Sequence, residues 1–568
     1  MASVRAWQPL GTAAEASWPE DALPDVSIRP PTGIAFSGGG TRAMVAAWGA
    51  LSALHQLGLL ERDVRYISGI SGGSWATATF TYAQLGAPSV APSDDVLLGT
   101  VLEPENISME SLNVMDDSCL RALATFRHHH KHGLRTPLHG PISRLATDSV
   151  YRWLLEPLGV TRAAYMGWNK QTVADIRLRN PHLVNASFVV PPASARRPYP
   201  ILGCSVIGPL SGAPFQWRHR KDRMRMLEVT PLYVGRTPFE RNLTVYPRGG
   251  GAAQSYSVGG LVESFAFGST KPPAASGLLP AGSASGLLRV PLPPRPFALE
   301  NATTASSYFP AEAWAELGPR ALQRTFDFVT GYWSPAAGAI NPSDGDSAQT
   351  ILGDGGDLEN IHLIGLLTRR CRSIILFVNT VQPLHGSSQW DPATELPTTA
   401  RIEDDLPAFF GVHVLPADAT EAADQMFALD FSANQVFPTA EFAPLVEALQ
   451  AAQAGGKPAV VTRQLTTVAN DRWGVASGWE LNLTVCYLSR IAEWERRLPA
   501  DVRDMVQPNS TDPYIDMGET IQRGPFAHFP HFDTSTLLYD TAKANLLANF
   551  AGWSVLQNAE LFRQQLRI

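Results

Sequence analysis

Ser71 stands at the centre of Gly69-Ile70-Ser71-Gly72-Gly73, and a separate glycine run, Ser37-Gly38-Gly39-Gly40-Thr41-Arg42, precedes it. G-x-S-x-G is the pattern of a nucleophile elbow, a sharp strand-to-helix turn that exposes a serine hydroxyl. The glycine run offers consecutive backbone N–H groups at the start of a helix, which suits an oxyanion. Much further on, Leu352-Gly353-Asp354-Gly355-Gly356-Asp357 supplies a carboxylate on a glycine-rich turn. Flanking glycines let the backbone present Asp354 at close range, which makes it the candidate base. Taken together, the three motifs read as nucleophile, oxyanion hole and base of a serine ester hydrolase. Each alone is also what a structural glycine turn looks like.

Other polar clusters carry less chemistry. No histidine stands in a recognisable triad motif. The run Arg127-His128-His129-His130-Lys131-His132 is polar on all sides and reads as a solvated surface segment, because zinc ligands need convergence rather than adjacency. A basic patch for phospholipid headgroups is its other reading. Asp344 and Asp346 lack the further ligands of a calcium loop and read as turn residues. Asp357 and Glu359 are expected to cap and solvate the helix that follows.

The elements that must position these groups follow from periodicity. Gly33-Ile34-Ala35-Phe36 is a short apolar strand ending in the glycine run. Met44, Val45, Trp48, Leu51, Leu54 and Leu57 recur at helical spacing, with Gly58 as a natural C-cap. Val64 to Ile70 is a second strand and Trp75 to Leu85 a second helix. This βαβ start puts both glycine motifs at the carboxyl ends of neighbouring parallel strands, where open α/β sheets place their active sites. Ile351-Leu352 leads into the Asp354 turn, Asp357 is the expected N-cap of a helix from Leu358 to Thr368, and Ser373 to Val378 is a buried strand. Ala542 to Phe562 reads as helix interrupted at Gly552. Met1 to Pro31 reads as an irregular leader. Gly268 to Pro296, rich in Ser, Ala, Gly and Pro, reads as a flexible insertion and a candidate lid.

The chain of 568 residues is 45% apolar and 17% charged, ordinary for a globular protein with a large core. A net charge of −7 argues against general nucleic-acid binding. Cys119, Cys204, Cys371 and Cys486 match no metal-ligand spacing and read as buried thiols. No apolar run is long enough to span a bilayer, and no signal peptide or anchor-attachment tail is visible. The expectation is a soluble, cytoplasmic protein. Sequons at Asn106, Asn185, Asn242, Asn301, Asn482 and Asn509 exceed chance and leave a secreted protein as the alternative.

Ser37 to Met44, Gly69 to Trp75 and Asp354-Gly355-Gly356 resemble, in order and spacing, the signature blocks of the cytosolic phospholipase A2 and fungal phospholipase B (lysophospholipase) catalytic domain. Leu227 to Pro231, Gly259 to Gly268 and Phe529-Pro530-His531-Phe532 also look similar. The resemblance implies a three-layer α/β lipid acyl-hydrolase fold with a mixed central sheet over residues 32–568. It implies a Ser71–Asp354 dyad without histidine, with Gly39 and Gly40 donating the oxyanion N–H groups and Gly38 supporting the turn. Arg42 would hold the substrate phosphate, a task suited to its fixed fork of donors; its alternative is a helix-start arginine paired with a core carboxylate. The implied substrate is a phospholipid or lysophospholipid at a membrane surface. No cofactor is implied, calcium is not needed for such dyad chemistry, and protein partners are not specified. Acyl transfer on the same dyad, or lipid binding without catalysis, are the alternatives.

Overall fold

A computed structural model describes the chain outside residues 9–16, 88–89, 91, 115–140, 216–223, 237–241, 249, 273–276, 294, 312–314, 316–317, 320–321, 337, 340–348, 418–430, 507–525, 527 and 568. The histidine run, Asp344, Asp346, Cys119 and Asn509 therefore lie outside the described residues. Strands of the main sheet, and the helices that bear on the site, are numbered in chain order. The first part holds β1 (Ala2–Trp7), β2 (Thr32–Phe36), α1 (Gly40–Gln56), β3 (Tyr66–Ile70) and α2 (Gly72–Tyr82). Next come β4 (Tyr199–Pro209), β5 (Arg225–Val229), β6 (Tyr233–Arg236), β7 (Gly260–Glu263), β8 (Ser285–Val290) and α3 (Leu299–Ala305). After them follow β9 (Phe328–Gly331), β10 (Gln349–Asp354), α4 (Ile364–Thr368) and β11 (Ser373–Val378). The chain closes with β12 (Ala459–Thr466), β13 (Glu480–Tyr487), α5 (Thr541–Gln557) and α6 (Ala559–Leu566).

The fold is α/β with a mixed central sheet of 13 strands. Its parallel centre runs β4-β3-β2-β11-β13, so the expected βαβ start is present and neighbouring. Every residue of β2, β3, β4 and β11 is buried, so both faces of the centre are covered, as parallel strands require. β10 joins antiparallel to β4, with Asp354 opposite Cys204, while Ile70 at the end of β3 lies opposite Gly203. That shared neighbour strand carries Asp354 to Ser71 across about half the sequence.

Four expectations need correction. Residues 2–7 are no leader: they form β1, paired with β7 and β8, with Ala2, Val4 and Ala6 buried at a two-residue period. Further along, Glu20 is fully buried against Arg369 (Nε–Oε1 2.8 Å), whose guanidinium also stacks on Trp18. The supposed insertion 268–296 contains β8, which pairs with β1 along its whole length. The helix expected from Leu358 starts only at Ile364, and Asp357 closes a 3-10 turn instead of capping it. Glu359 is fully buried rather than solvated, and accepts the N–H groups of Ile361 and His362, in the turn ahead of the helix, at 2.8 and 2.5 Å. Finally, α5 passes through Gly552 and the break falls at Asn558. A Cβ at Gly552 would lie 2.4 Å from Val101 and 2.8 Å from the Gly49 carbonyl, so this glycine permits close crossing of α1 and α5.

Cys204, Cys371 and Cys486 are buried free thiols, as expected. Among the sequons, Asn301 caps its own helix by accepting the Ala298 N–H, and Asn482 lies in β13 beside Ser373 of β11. Both are parts of packed elements rather than surface loops. No helix among the described residues is long and apolar enough to cross a membrane.

Candidate active site

The site begins with backbone strain. Ser71 has φ 48° and ψ −122°, a region that L residues with a side chain rarely occupy. The strain is held by neighbours. The Ser71 N–H donates to both the carbonyl (3.0 Å) and the hydroxyl (3.1 Å) of Ser306, which follows α3. The hydroxyl of Ser74 donates to the Ser71 carbonyl at 2.6 Å. On either side the elbow is pressed against the glycine loop: a Cβ at Gly72 would sit 2.1 Å from the Gly40 carbonyl oxygen, and one at Gly73 would sit 2.2 Å from that of Phe36. Small residues here are a consequence of two backbones touching.

Held this way, the Ser71 hydroxyl donates to Asp354 Oδ2 at 2.8 Å. The other carboxylate oxygen accepts the Gly356 N–H at 2.9 Å, which fixes the carboxylate plane. Burial pushes the Asp354 pKa up to about 6, and the hydrogen bonds from Gly356 and Ser71 counteract only part of that rise. Among the described residues no histidine is hydrogen-bonded to either group. His362 and His531 are buried and kept neutral, their pKa values pushed by desolvation down to about 4 and about 3.

The glycine loop divides its N–H groups. That of Gly38 donates to the Asn360 carbonyl at 2.8 Å and is spent on the fold. Those of Gly39 and Gly40 make no hydrogen bond to a described residue. Gly39 (φ 127°) and Gly40 (φ 59°) adopt conformations that favour glycine, and they turn the loop into α1 beside the elbow.

Arg42 is only 2% exposed. Its Nε donates to the Asn379 carbonyl at 3.0 Å, and Nη1 donates to the Phe532 carbonyl and to the Thr534 hydroxyl. Its partners are thus carbonyls and a hydroxyl rather than the core carboxylate of the alternative reading. Nη2 lies against Gly39, where an added Cβ would come within 2.3 Å of it. Burial lowers the Arg42 pKa to about 10, which leaves it charged at neutral pH.

Ser306 and Asn360 escaped the sequence reading. Ser306 sits in an Ala-Ser-Ser stretch without a motif, and only the fold brings it 235 residues back to Ser71. Asn360 lies three residues after Asp357, and the signal was its place next to the Asp354 turn.

The titration of Asp354 has a testable sign. Its folded pKa is above the unfolded value, so its contribution to stability is complete below the unfolded pKa of 3.8 and is lost as pH rises through about 6. If Asp354 is the base, activity is expected to run the other way, because only an ionised carboxylate can take a proton. With a neutral ester, kcat/KM should fall about tenfold per pH unit below pH 6. A flat profile down to pH 4.5 would remove Asp354 from the role of titrating base.

Residues 32–89 match the family model described as "Lysophospholipase catalytic domain". Mouse cytosolic phospholipase A2 zeta is 50% identical over 50 residues, 9% of this chain and 6% of that protein. Lysophospholipase 2 of Saccharomyces cerevisiae is 42% identical over 62 residues, 9% of each chain. Among solved structures, human GIVD cytosolic phospholipase A2 aligns over 96% of this chain and 60% of its own, with 17% identity and a TM-score of 0.42. The chain's matched segments thus span less than a tenth of the length of these sequence relatives. The resemblance read from the glycine motifs is borne out over residues 32–89, the segment holding both the loop and Ser71.

Proposed function

We propose that this chain hydrolyses fatty-acyl esters of glycerophospholipids or lysophospholipids through an acyl-serine intermediate, with Ser71 as nucleophile and Asp354 as base. One observation carries the proposal: a serine hydroxyl on a strained elbow donates at 2.8 Å to a buried carboxylate with a raised pKa. In the first half-reaction Ser71 Oγ attacks the ester carbon as its proton passes to Asp354. The Gly39 and Gly40 N–H groups receive the developing oxyanion, and Asp354 returns the proton to the departing lipid alcohol. Water then attacks the acyl-serine by the reverse proton route. The carboxylate thus does both the general-base and general-acid work that a histidine does in a triad.

The lipid substrate is supported by the lysophospholipase family match and by relatives named as phospholipases. Relatives named cytosolic phospholipase A2, together with the buried free thiols, favour a cytoplasmic enzyme acting peripherally at membranes. The test is product analysis on defined phospholipid and lysophospholipid vesicles. Release of free fatty acid, with the corresponding lyso or deacylated lipid, is expected. Turnover of small esters with no acyl release from any glycerophospholipid would contradict the substrate class.

Arg42 is assigned to the substrate phosphate through Nη2, with Nε and Nη1 serving as its anchors. A hydrogen bond to a charged group contributes about 1.5–3 kcal/mol, so Arg42→Ala should change the ratio of kcat/KM for phospholipid to that for an uncharged nitrophenyl ester by roughly tenfold to a hundredfold. Arg42→Lys keeps the charge without the fork and should restore the ratio only in part. Equal losses on both esters would make Arg42 a structural tie alone.

A further inference from the structure

The Asn360 side chain is the polar group beside the site for which acylation has no use. Its main chain is fixed at both ends: the carbonyl accepts the Gly38 N–H at 2.8 Å, and the N–H donates to Asp405 Oδ2 at 3.0 Å. The half-buried carboxamide makes no hydrogen bond to a described residue. Its position is marked by two glycines. A Cβ on Gly38 would lie 2.0 Å from Asn360 Oδ1 and 3.0 Å from Ser71 Cβ. A Cβ on Gly356 would lie 2.7 Å from the same Oδ1 and 3.2 Å from Asp354 Oδ1. Oδ1 therefore occupies the space between the nucleophile and the aspartate turn, and both glycines leave that space to it.

We propose that Asn360 Oδ1 holds the water that hydrolyses the acyl-enzyme. The proposal rests on the Ser71–Asp354 reading and concerns its second half. Once Ser71 Oγ is acylated it has no proton to give, so Asp354 Oδ2 loses the donor it has at 2.8 Å in the free enzyme. A water can take that place by donating one hydrogen to the carboxylate, but it still rotates about that bond. An acceptor for its second hydrogen fixes a lone pair toward the ester carbon, and orientation of this kind is worth large factors in rate. Asn360 Oδ1, facing both Gly38 and Gly356, is an acceptor of this kind beside Ser71 and the aspartate turn. In the step, the water oxygen bonds to the acyl carbon as one proton passes to Asp354. The carbon–Oγ bond then breaks, Asp354 returns the proton to Ser71, and the fatty acid leaves. Asn360 thereby favours water over a lipid alcohol as acyl acceptor, tilting the dyad toward hydrolysis.

The test separates the two half-reactions with a chromogenic nitrophenyl ester of a fatty acid in rapid mixing. Asn360→Leu, with the same side-chain branching and no hydrogen-bonding group, should acylate within about threefold of wild type and show a burst of nitrophenol. Its deacylation should slow about tenfold or more, with the acyl adduct visible by intact mass. Hydroxylamine, a far stronger nucleophile than water that does not need its proton held, should release the adduct at comparable rates in both proteins. A ratio of deacylation to acylation that stays at the wild-type value, whether neither rate falls or both fall together, would overturn the proposal. Should Asn360→Leu not take up a fluorophosphonate, Asn360→Ala decides by the same ratio. Wild type that forms no adduct on Ser71 would instead sink the parent reading.

Discussion

Replacing Ser71 with Ala, or Asp354 with Asn, is expected to lower ester hydrolysis at least about a thousandfold while leaving the protein folded. The two side chains form one unit at 2.8 Å, so removing either should cost about as much as removing both. Ala at position 71 has no nucleophile. Asn at position 354 can still accept the Ser71 hydrogen bond but cannot take the proton. The stability of the second variant is its own control. A buried aspartate whose pKa is raised to about 6 opposes folding once ionised, so Asp354→Asn should melt higher than wild type at pH 8 and close to it at pH 4. Loss of activity with a gain of stability would tie the defect to proton transfer rather than to unfolding. Activity within about tenfold of wild type in either variant would remove that residue from the catalytic unit.

The second large effect is expected at Gly72, where two physical terms disagree in sign. Gly72 opens α2 with an ordinary helical backbone, and helix propensity alone would make Gly72→Ala stabilising by up to about 1 kcal/mol. The added methyl, however, would sit 2.1 Å from the Gly40 carbonyl oxygen and 2.8 Å from its nitrogen. These are main-chain atoms, so nothing can rotate aside; the elbow and the glycine loop must separate. A displacement of about 1 Å between reacting groups costs on the order of a hundredfold in rate, and that is the loss expected in kcat. Gly386→Ala serves as the control, since its Cβ would meet nothing nearer than Gln389 at 4.0 Å. A Gly72→Ala enzyme as active as this control would mean that the loop and the elbow need not touch.

How much of this was legible in the sequence depends on the range of the forces involved. The β2-α1-β3-α2 segment could be read because apolar residues at strand and helix periods, punctuated by glycines, record local geometry. Asp354 could be read as a candidate because glycines flank it, although its pairing with Ser71 depends on both β3 and β10 lying beside β4. β1 was missed because Ala2, Val4 and Ala6 give only a faint alternation, and its pairing with β8 lies far along the chain. The late start of α4 was missed because Glu359 satisfies the N–H groups ahead of it from a fully buried position, and a glutamate there looks solvated in sequence. Ser306 was invisible for a simpler reason: its partner is a main-chain N–H, which leaves no mark on residue type.

The central claim is that Ser71 is the nucleophile and that Asp354 activates it. Its most direct measurement is reaction with an alkyl fluorophosphonate, followed by intact mass and peptide mapping in wild type, Ser71→Ala and Asp354→Asn. A single adduct on Ser71 in wild type, none in Ser71→Ala and labelling slowed at least about a hundredfold in Asp354→Asn is the predicted result. An adduct on a different serine, or equal labelling rates in wild type and Asp354→Asn, would contradict it.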